Sequence, residues 1–249
     1  MSCSKPKKPW EGKFSQRENT CRYASYCFPW PKTNKTGSDF TMSHFHAEDV
    51  INAYRRIAPY YYWVFGWVFE HGRIRMGKQI GSLQPQRLLE VGVGTGIMLH
   101  RYPQCCEIHG IDMSQEMLQL AARRASELDS HNIQLRQMNA EALEYPDDHF
   151  DCVTLPHVLS VTPDASRLIA EARRVCRPDG HIIILNYFSD KGPWRFLKWL
   201  PKVIGTSSGF DPDFSYACNI PCHDWKVITE QGVNMFNLSR MIVIKNEKK

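Results

Sequence analysis

A glycine-rich turn in the middle of the chain restricts the possible folds more than any other feature. Glycines stand at positions 92, 94 and 96, directly after a predicted strand over 87–91 and before a helical pattern. Glycine lets such a turn run tightly, and it lets the backbone approach a ligand with no side chain between them. This placement is typical of a ligand-binding turn in a doubly wound α/β protein, and the alternative is a purely structural tight turn.

The spacing of the glycines limits the kind of ligand. The pattern is GxGxG, whereas a dinucleotide pyrophosphate is associated with GxGxxG. Asp112 closes the next predicted strand 20 residues after Gly92, where a carboxylate can accept both ribose hydroxyls. Adenosine without phosphates therefore fits the pattern better than NAD.

The patterns on either side of the turn predict the fold class. Strands are predicted over 87–91, 107–111, 133–138, 151–155 and 181–187. Helices are predicted over 96–101, 114–128 and 164–176, after two N-terminal helices over 50–58 and 61–79 and a loop at 81–85. This alternation implies an α/β protein with a central, mainly parallel sheet and helices on both faces.

Charge separates the first 41 residues from the remainder. They carry eight basic and three acidic side chains, while the acids and bases of residues 42–249 balance. We expect 1–41 to be a basic, flexible extension, either an over-long gene model or a targeting arm, and 42–249 to be one domain. Its parts are N-terminal lid helices (42–80), a core (87–187) and a C-terminal insertion with the last strands (188–249). A domain with no net charge offers no broad surface for phosphate groups, so no nucleic-acid partner is expected.

The length of the apolar runs and the pattern of cysteines indicate in which cellular compartment the protein works. The longest strongly apolar run, Tyr60–Phe69, has ten residues, and a membrane-crossing helix needs about 20. No secretory signal is recognisable, so we expect a cytoplasmic protein whose nine cysteines are thiols. Cys218 and Cys222 beside His223 form a weak metal pattern, and scattered thiols explain them better.

Five separate segments resemble the motifs of the Rossmann-like (class I) S-adenosylmethionine-dependent methyltransferases. Residues 89–96 are similar to that family's first motif, Asp112 and Met113 to its second, and Asn139-Ala140 to the segment after strand three. Residues 150–153 and 175–181 resemble its fourth motif and a later helix-to-strand turn. The resemblance implies S-adenosylmethionine as cofactor, with Met113 packing on adenine and Asn139 serving the adenine amino group.

The predicted cofactor-binding set combines these motifs with the strand ends. Its members are Glu90, Gly92, Val93, Gly94, Thr95, Gly96, Asp112, Met113, Asn139, Ala140 and Leu155. Glu90 is assigned to the amino group of the cofactor, and the alternative is a carboxylate that caps the helix under the glycine loop. No metal is expected, because methyl transfer from a sulfonium requires none.

The segment 53–73 narrows the substrate class by a second resemblance. It is similar to the bacterial phosphatidylethanolamine N-methyltransferases, whose motif Tyr54 and Tyr61 match and from which Ile57 and Tyr62 depart. The resemblance implies a phospholipid amine as acceptor and an anionic membrane surface as partner. The aromatic run at 60–69 and the basic, aromatic stretch 193–202 suit peripheral membrane contact, although both could instead be core helices.

Three side chains are candidates for acceptor chemistry. The rings of Tyr54 and Tyr61 can stabilise a methylated ammonium by cation–π contact. His157 follows the fourth strand and could accept the ammonium proton, or it could be a structural hydrogen-bonding group. Three hypotheses follow: a phosphatidylethanolamine N-methyltransferase, a methyltransferase of a quinone or other small hydrophobic acceptor, or a non-catalytic cofactor-binding protein.

Overall fold

A seven-stranded sheet forms the centre of the protein. The computed structural model describes residues 69–128, 132–188, 225–234 and 237–248. Its strands are β1 (Arg87–Val91), β2 (Glu107–Asp112), β3 (Ile133–Gln137), β4 (Phe150–Pro156), β5 (Cys176–Asn186), β6 (Lys226–Val233) and β7 (Ser239–Lys245). Its helices are α1 (Glu70–Leu83), α2 (Gln115–Ser126), α3 (Ala165–Val175) and a single 3₁₀ turn, Leu99–Arg101.

The strand order confirms the predicted fold class. The sheet runs β3-β2-β1-β4-β5-β7-β6, and its first five strands are parallel. β7 pairs antiparallel with both β5 and β6. The order reverses at β1, so the carboxyl ends of β1 and β4 flank the crevice where open α/β sheets bind ligands.

Apolar side chains bury both faces of the sheet. One face carries α1 and α2, which contribute Met76, Ile80 and Leu118 to a cluster with Ile183 of β5. The other face packs against α3 through residues such as Ile169 and Val175. β5 lies between these layers and is accordingly apolar without interruption over Ile182–Leu185, where each residue is fully buried.

Several predicted boundaries differ from the structure, and three of the larger differences have a local reason. The helix expected over 96–101 is only the 3₁₀ turn, because Gly96 has a φ of +76° and cannot open an α-helix there. α1 begins at Glu70 and not at residue 61, and it continues into the expected loop as far as Leu83, where Gln84 at φ +47° ends it. β5 begins at Cys176 because that residue pairs with Phe150 across a bulge, so the expected turn belongs to the strand.

Several predictions concern residues outside the described ranges. They include the extension 1–41, the helix over 50–58, the aromatic run up to residue 68, the stretch 193–202 and the Cys218–Cys222 pattern. Within the described part of the chain, no helix is long and apolar enough to cross a bilayer.

Candidate functional site

The glycine loop crosses the carboxyl end of β2. The backbone N–H groups of Gly92 and Val93 both donate to the carbonyl of Ile111, at 2.9 Å each. Gly94 has a φ of +53°, and a Cβ added there would meet no atom within 4 Å. At Gly96 a Cβ would stand 2.8 Å from Leu99 Cδ1 and 3.1 Å from Ala121 Cα. Gly96 therefore allows the loop to pack on α2, whereas Gly94 leaves open space above bare backbone.

Asp112 lies directly against this loop. Its Oδ2 accepts from the N–H of Gly94 at 2.8 Å, and its Oδ1 accepts from the N–H of Ser114 at 2.9 Å. Burial raises the pKa of this carboxyl, and these backbone donors oppose the rise. Each carboxylate oxygen has a second lone pair, so Asp112 can still accept ribose hydroxyls beside the loop.

The residues assigned to adenine follow β2 and β3 at the same edge. Met113 is 42% exposed, which is unusual for a large apolar side chain and leaves it free to pack on a ring. Its carbonyl accepts from Gln137 Nε2 at 2.8 Å, which joins the ends of the two strands. Asn139 uses Oδ1 to accept from Glu141 N–H, and the second lone pair of this oxygen remains for the adenine amino group, which is a donor. Ala140 packs on the core beneath.

Three predicted cofactor residues turn their side chains away from the open space. Val93 and Leu155 are buried in the two core clusters. The hydroxyl and carbonyl of Thr95 both accept from Arg124 Nη1 at 2.9 Å. These positions can therefore contribute backbone to a ligand, and their side chains support the fold.

Glu90 is a buried carboxyl at the end of β1. It is 1% exposed and hydrogen-bonds with the hydroxyl of Tyr102, while its Oε2 has no partner among the described residues. Burial and the nearby charge of Asp112 raise the pKa of Glu90 to about 8, although Tyr102 and Arg73 act against the rise. An unpartnered buried oxygen beside the glycine loop fits an ammonium donor, as predicted for the cofactor's amino group. Its bond to Tyr102 gives no support to the helix-capping alternative.

His157 lies at the end of β4 in a strained backbone position. Its φ is +58°, and its N–H donates to the carbonyl of Leu185 at 2.6 Å. Its ring lies 4.6 Å from the ring of Phe69, centroid to centroid. Its Nε2 is buried and bonds to no described residue. Burial, with a smaller effect of Arg73, lowers the pKa of His157 to about 3.

Arg73 is a residue of this site that was not among the predicted site residues, although it ends the segment 53–73 that carries the second resemblance. Its side chain is 12% exposed and pairs with Glu70 at 3.5 Å. Its positive charge lowers the pKa of both Glu90 and His157, which places the guanidinium near the ends of β1 and β4. Phe69 and Arg73 are four residues apart and thus on one face of α1, a spacing that could have suggested a shared role.

Tyr54 and Tyr61 lie outside the described residues, so their predicted roles stay predictions. Among the residues that are described, no three His, Cys, Asp or Glu side chains stand together as metal ligands.

Comparison with known proteins defines the class to which this fold and site belong. A family model described as a methyltransferase domain matches residues 89–184. The chain is 37% identical over 168 residues to a phosphatidylethanolamine N-methyltransferase of Cereibacter sphaeroides, covering 67% of this chain and 82% of that one. It therefore belongs to the Rossmann-like S-adenosylmethionine-dependent methyltransferases, and S-adenosylmethionine is its cofactor.

Other relatives share the same core. A ubiquinone/menaquinone biosynthesis C-methyltransferase, UbiE of Citrifermentans bemidjiense, is 33% identical over 147 residues, which are 53% of this chain and 62% of that protein. The solved structure of YcgJ from Bacillus subtilis superposes with a TM-score of 0.59 at 16% identity, over 72% of this chain and 99% of that one. The latter likeness concerns the fold alone.

Proposed function

We propose that this protein transfers a methyl group from S-adenosylmethionine to the amine headgroup of phosphatidylethanolamine at a membrane surface. The observation that carries the proposal is the 37% identity to a phosphatidylethanolamine N-methyltransferase across 82% of that enzyme. The segment 53–73, which resembles that family, supports it independently of the cofactor core.

The described residues supply surroundings suited to an amine acceptor. S-adenosylmethionine supplies a methyl group on a sulfonium, which an uncharged amine takes by direct displacement. The ring of His157 is uncharged at neutral pH, because its pKa is about 3, and it therefore does not repel a headgroup that becomes cationic. Phe69 adds an aromatic face beside it, which favours a methylated ammonium.

The lowered pKa changes the role proposed for His157. Moving a proton from an alkylammonium with a pKa of about 10 to a ring with a pKa of about 3 would cost about 10 kcal/mol. The amine therefore loses its proton to solvent, and Nε2 accepts a hydrogen bond from the amine rather than its proton. His157 then orients the nucleophile, and positioning supplies most of the rate.

This role predicts a particular pH profile for methyl transfer. The rate is expected to rise with pH as the acceptor amine deprotonates, with no break near pH 6.5. His157→Asn, which tolerates the left-handed backbone at this position, should lower kcat about tenfold and keep the profile. Initial rates of the native protein and of the variant between pH 6 and 9 give both the change in kcat and the pH profile. A break near pH 6.5 that vanishes in the variant would instead make His157 a general base.

Lipid assays test the acceptor itself. The full-length protein with labelled S-adenosylmethionine and phosphatidylethanolamine vesicles is expected to yield labelled mono- and dimethylated headgroups. Sedimentation with vesicles that contain anionic lipid should deplete the protein from solution, and vesicles of neutral lipid should deplete it less. Binding of S-adenosylhomocysteine without labelled lipid would reject the proposed acceptor and leave the family assignment intact.

A quinone is the second candidate acceptor, because a quinone C-methyltransferase shares 33% identity with this chain. The same assay with a demethylated quinone in place of the amine lipid separates the two. Label in the quinone alone would identify a carbon or oxygen acceptor.

A further inference from the structure

The first turn of α1 is held by a side chain from the far end of the sequence. Backbone N–H groups in the first turn of a helix have no partner within the helix. Phe69, which precedes α1, offers no side-chain cap, and the N–H of Gly72 donates instead to Asn234 Oδ1 at 2.6 Å. The two residues are 162 positions apart. The hairpin between β6 and β7 thus caps a helix that lies ahead of β1 in the chain.

The contact between Gly72 and Asn234 restricts which residue can stand at each position. Asn234 has a φ of +67°, a conformation that asparagine adopts more readily than most residues, and it is 9% exposed. At Gly72, a Cβ would stand 2.8 Å from Asn234 Oδ1 and 3.1 Å from Leu185 Cδ1. Only glycine lets the helix come this close, so the contact fixes both the place and the rotation of the first turn.

Phe69, at the N-cap of α1, and Arg73, in its first turn, are the two side chains that this end of the helix brings to the candidate site. Phe69 covers the ring of His157, and the charge of Arg73 acts on both Glu90 and His157. Phe69, Gly72 and Arg73 are three and four residues apart and share one face of the helix. A shift of Gly72 away from Asn234 would therefore move Phe69 and Arg73 together.

We propose that Asn234 is a positioning residue for methyl transfer: its side-chain oxygen sets the place of the first turn of α1, and with it Phe69 and Arg73, over the ends of β1 and β4. The proposal rests on the methyltransferase activity of the family, and it holds for either candidate acceptor.

Variants at Asn234 separate this role from the stability of the hairpin. Asn234→Gly keeps the left-handed backbone accessible and removes the amide, and it should weaken S-adenosylhomocysteine binding and kcat about tenfold each. Asn234→Asp retains an acceptor oxygen at a helix N-terminus, and it should restore both within about threefold of the native protein. The matched control is Asn237→Gly, since Asn237 has a φ of +56° in the same hairpin and its side chain lies against Gly232 of β6.

A spectroscopic signal reports the position of Phe69 directly. In the native protein the ring C–H resonances of His157, assigned by their loss in His157→Asn, should not titrate between pH 5 and 8. In Asn234→Gly they should titrate in that range, because Phe69 no longer covers the ring. Gly72→Ala disturbs the same contact from the helix and should give the same change, which provides a second variant if Asn234→Gly does not fold.

Two results would overturn the proposal. One is an equal loss of binding in Asn234→Gly and Asn237→Gly without rescue by Asn234→Asp. The other is an unchanged His157 titration in both Asn234→Gly and Gly72→Ala. Neither readout depends on the lipid, so a failure to methylate phosphatidylethanolamine would reject the proposed acceptor without touching this result.

Discussion

Replacement of Gly94 by asparagine is expected to abolish cofactor binding while the protein stays folded. A side chain at this position enters the open space above the loop, because a Cβ there meets no atom within 4 Å. Asparagine accepts the φ of +53° at small cost, so the free energy of unfolding should change by no more than about 1 kcal/mol. The dissociation constant of S-adenosylhomocysteine should rise at least about 100-fold, equivalent to about 3 kcal/mol. Titration calorimetry and urea unfolding measure the two quantities.

Two other glycines serve as matched controls for Gly94. Gly81 in α1 also faces open space, so Gly81→Asn should leave both binding and stability nearly unchanged. Gly96→Asn should unfold or strongly destabilise the protein, because its Cβ would collide with Leu99 and with the backbone of Ala121. Binding by Gly94→Asn within about tenfold of the native protein would show that the cofactor does not lie over this loop.

Substitution of Glu90 by glutamine is expected to stabilise the fold and to weaken cofactor binding. The pKa of Glu90 is about 8 in the folded protein and 4.5 without burial, so the folded state binds the proton more tightly. Stability from this group is therefore greatest below pH 4.5 and is lost as pH rises towards 8. At pH 7 the free energy of unfolding is lower by about 3 kcal/mol than it is below pH 4.5, and glutamine, which does not ionise, avoids this loss. Urea unfolding of both proteins without ligand, at pH 5 and pH 7.5, should show the difference growing with pH.

The loss of cofactor affinity in Glu90→Gln should come from contacts with the amino-acid tail of the ligand. An ammonium group near the unpartnered Oε2 favours the charged carboxylate, so native binding near pH 7 should release about one proton, and Glu90→Gln should release none. The affinity for S-adenosylhomocysteine should drop about 30-fold in the variant. Methylthioadenosine lacks the amino-acid tail and should bind both proteins alike. An equal loss of affinity for both ligands would show that Glu90 does not bind the amino-acid tail.

The sequence predicted the parts of this protein that depend on local patterns. The first five strands were located from the alternation of strand and helix patterns, and β1 is predicted to its first and last residue. The glycines and Asp112 come together as expected, because parallel strands bring the residues after them to one edge. The boundaries that failed depend on single backbone conformations, such as the positive φ of Gly96 and Gln84.

The remaining parts depend on tertiary contacts that no local pattern encodes. Arg73 and Asn234 are 161 positions apart in the sequence, and only the completed sheet brings their elements together. β6 and β7 were not located individually in the sequence, since the exposed first half of β6 gives no clear alternation. The pKa values of Glu90 and His157 also depend on burial, which spacing does not reveal.

The place of β7 in the sheet has a consequence for biosynthesis. This strand lies between β5 and β6, although it is the last of the seven to be translated. A sheet that forms before Lys245 has left the ribosome would expose β5, with its apolar residues Ile182–Leu185, as an unpaired edge strand. Such an edge can pair with a strand of another chain and aggregate, so we expect chaperones to protect it during synthesis.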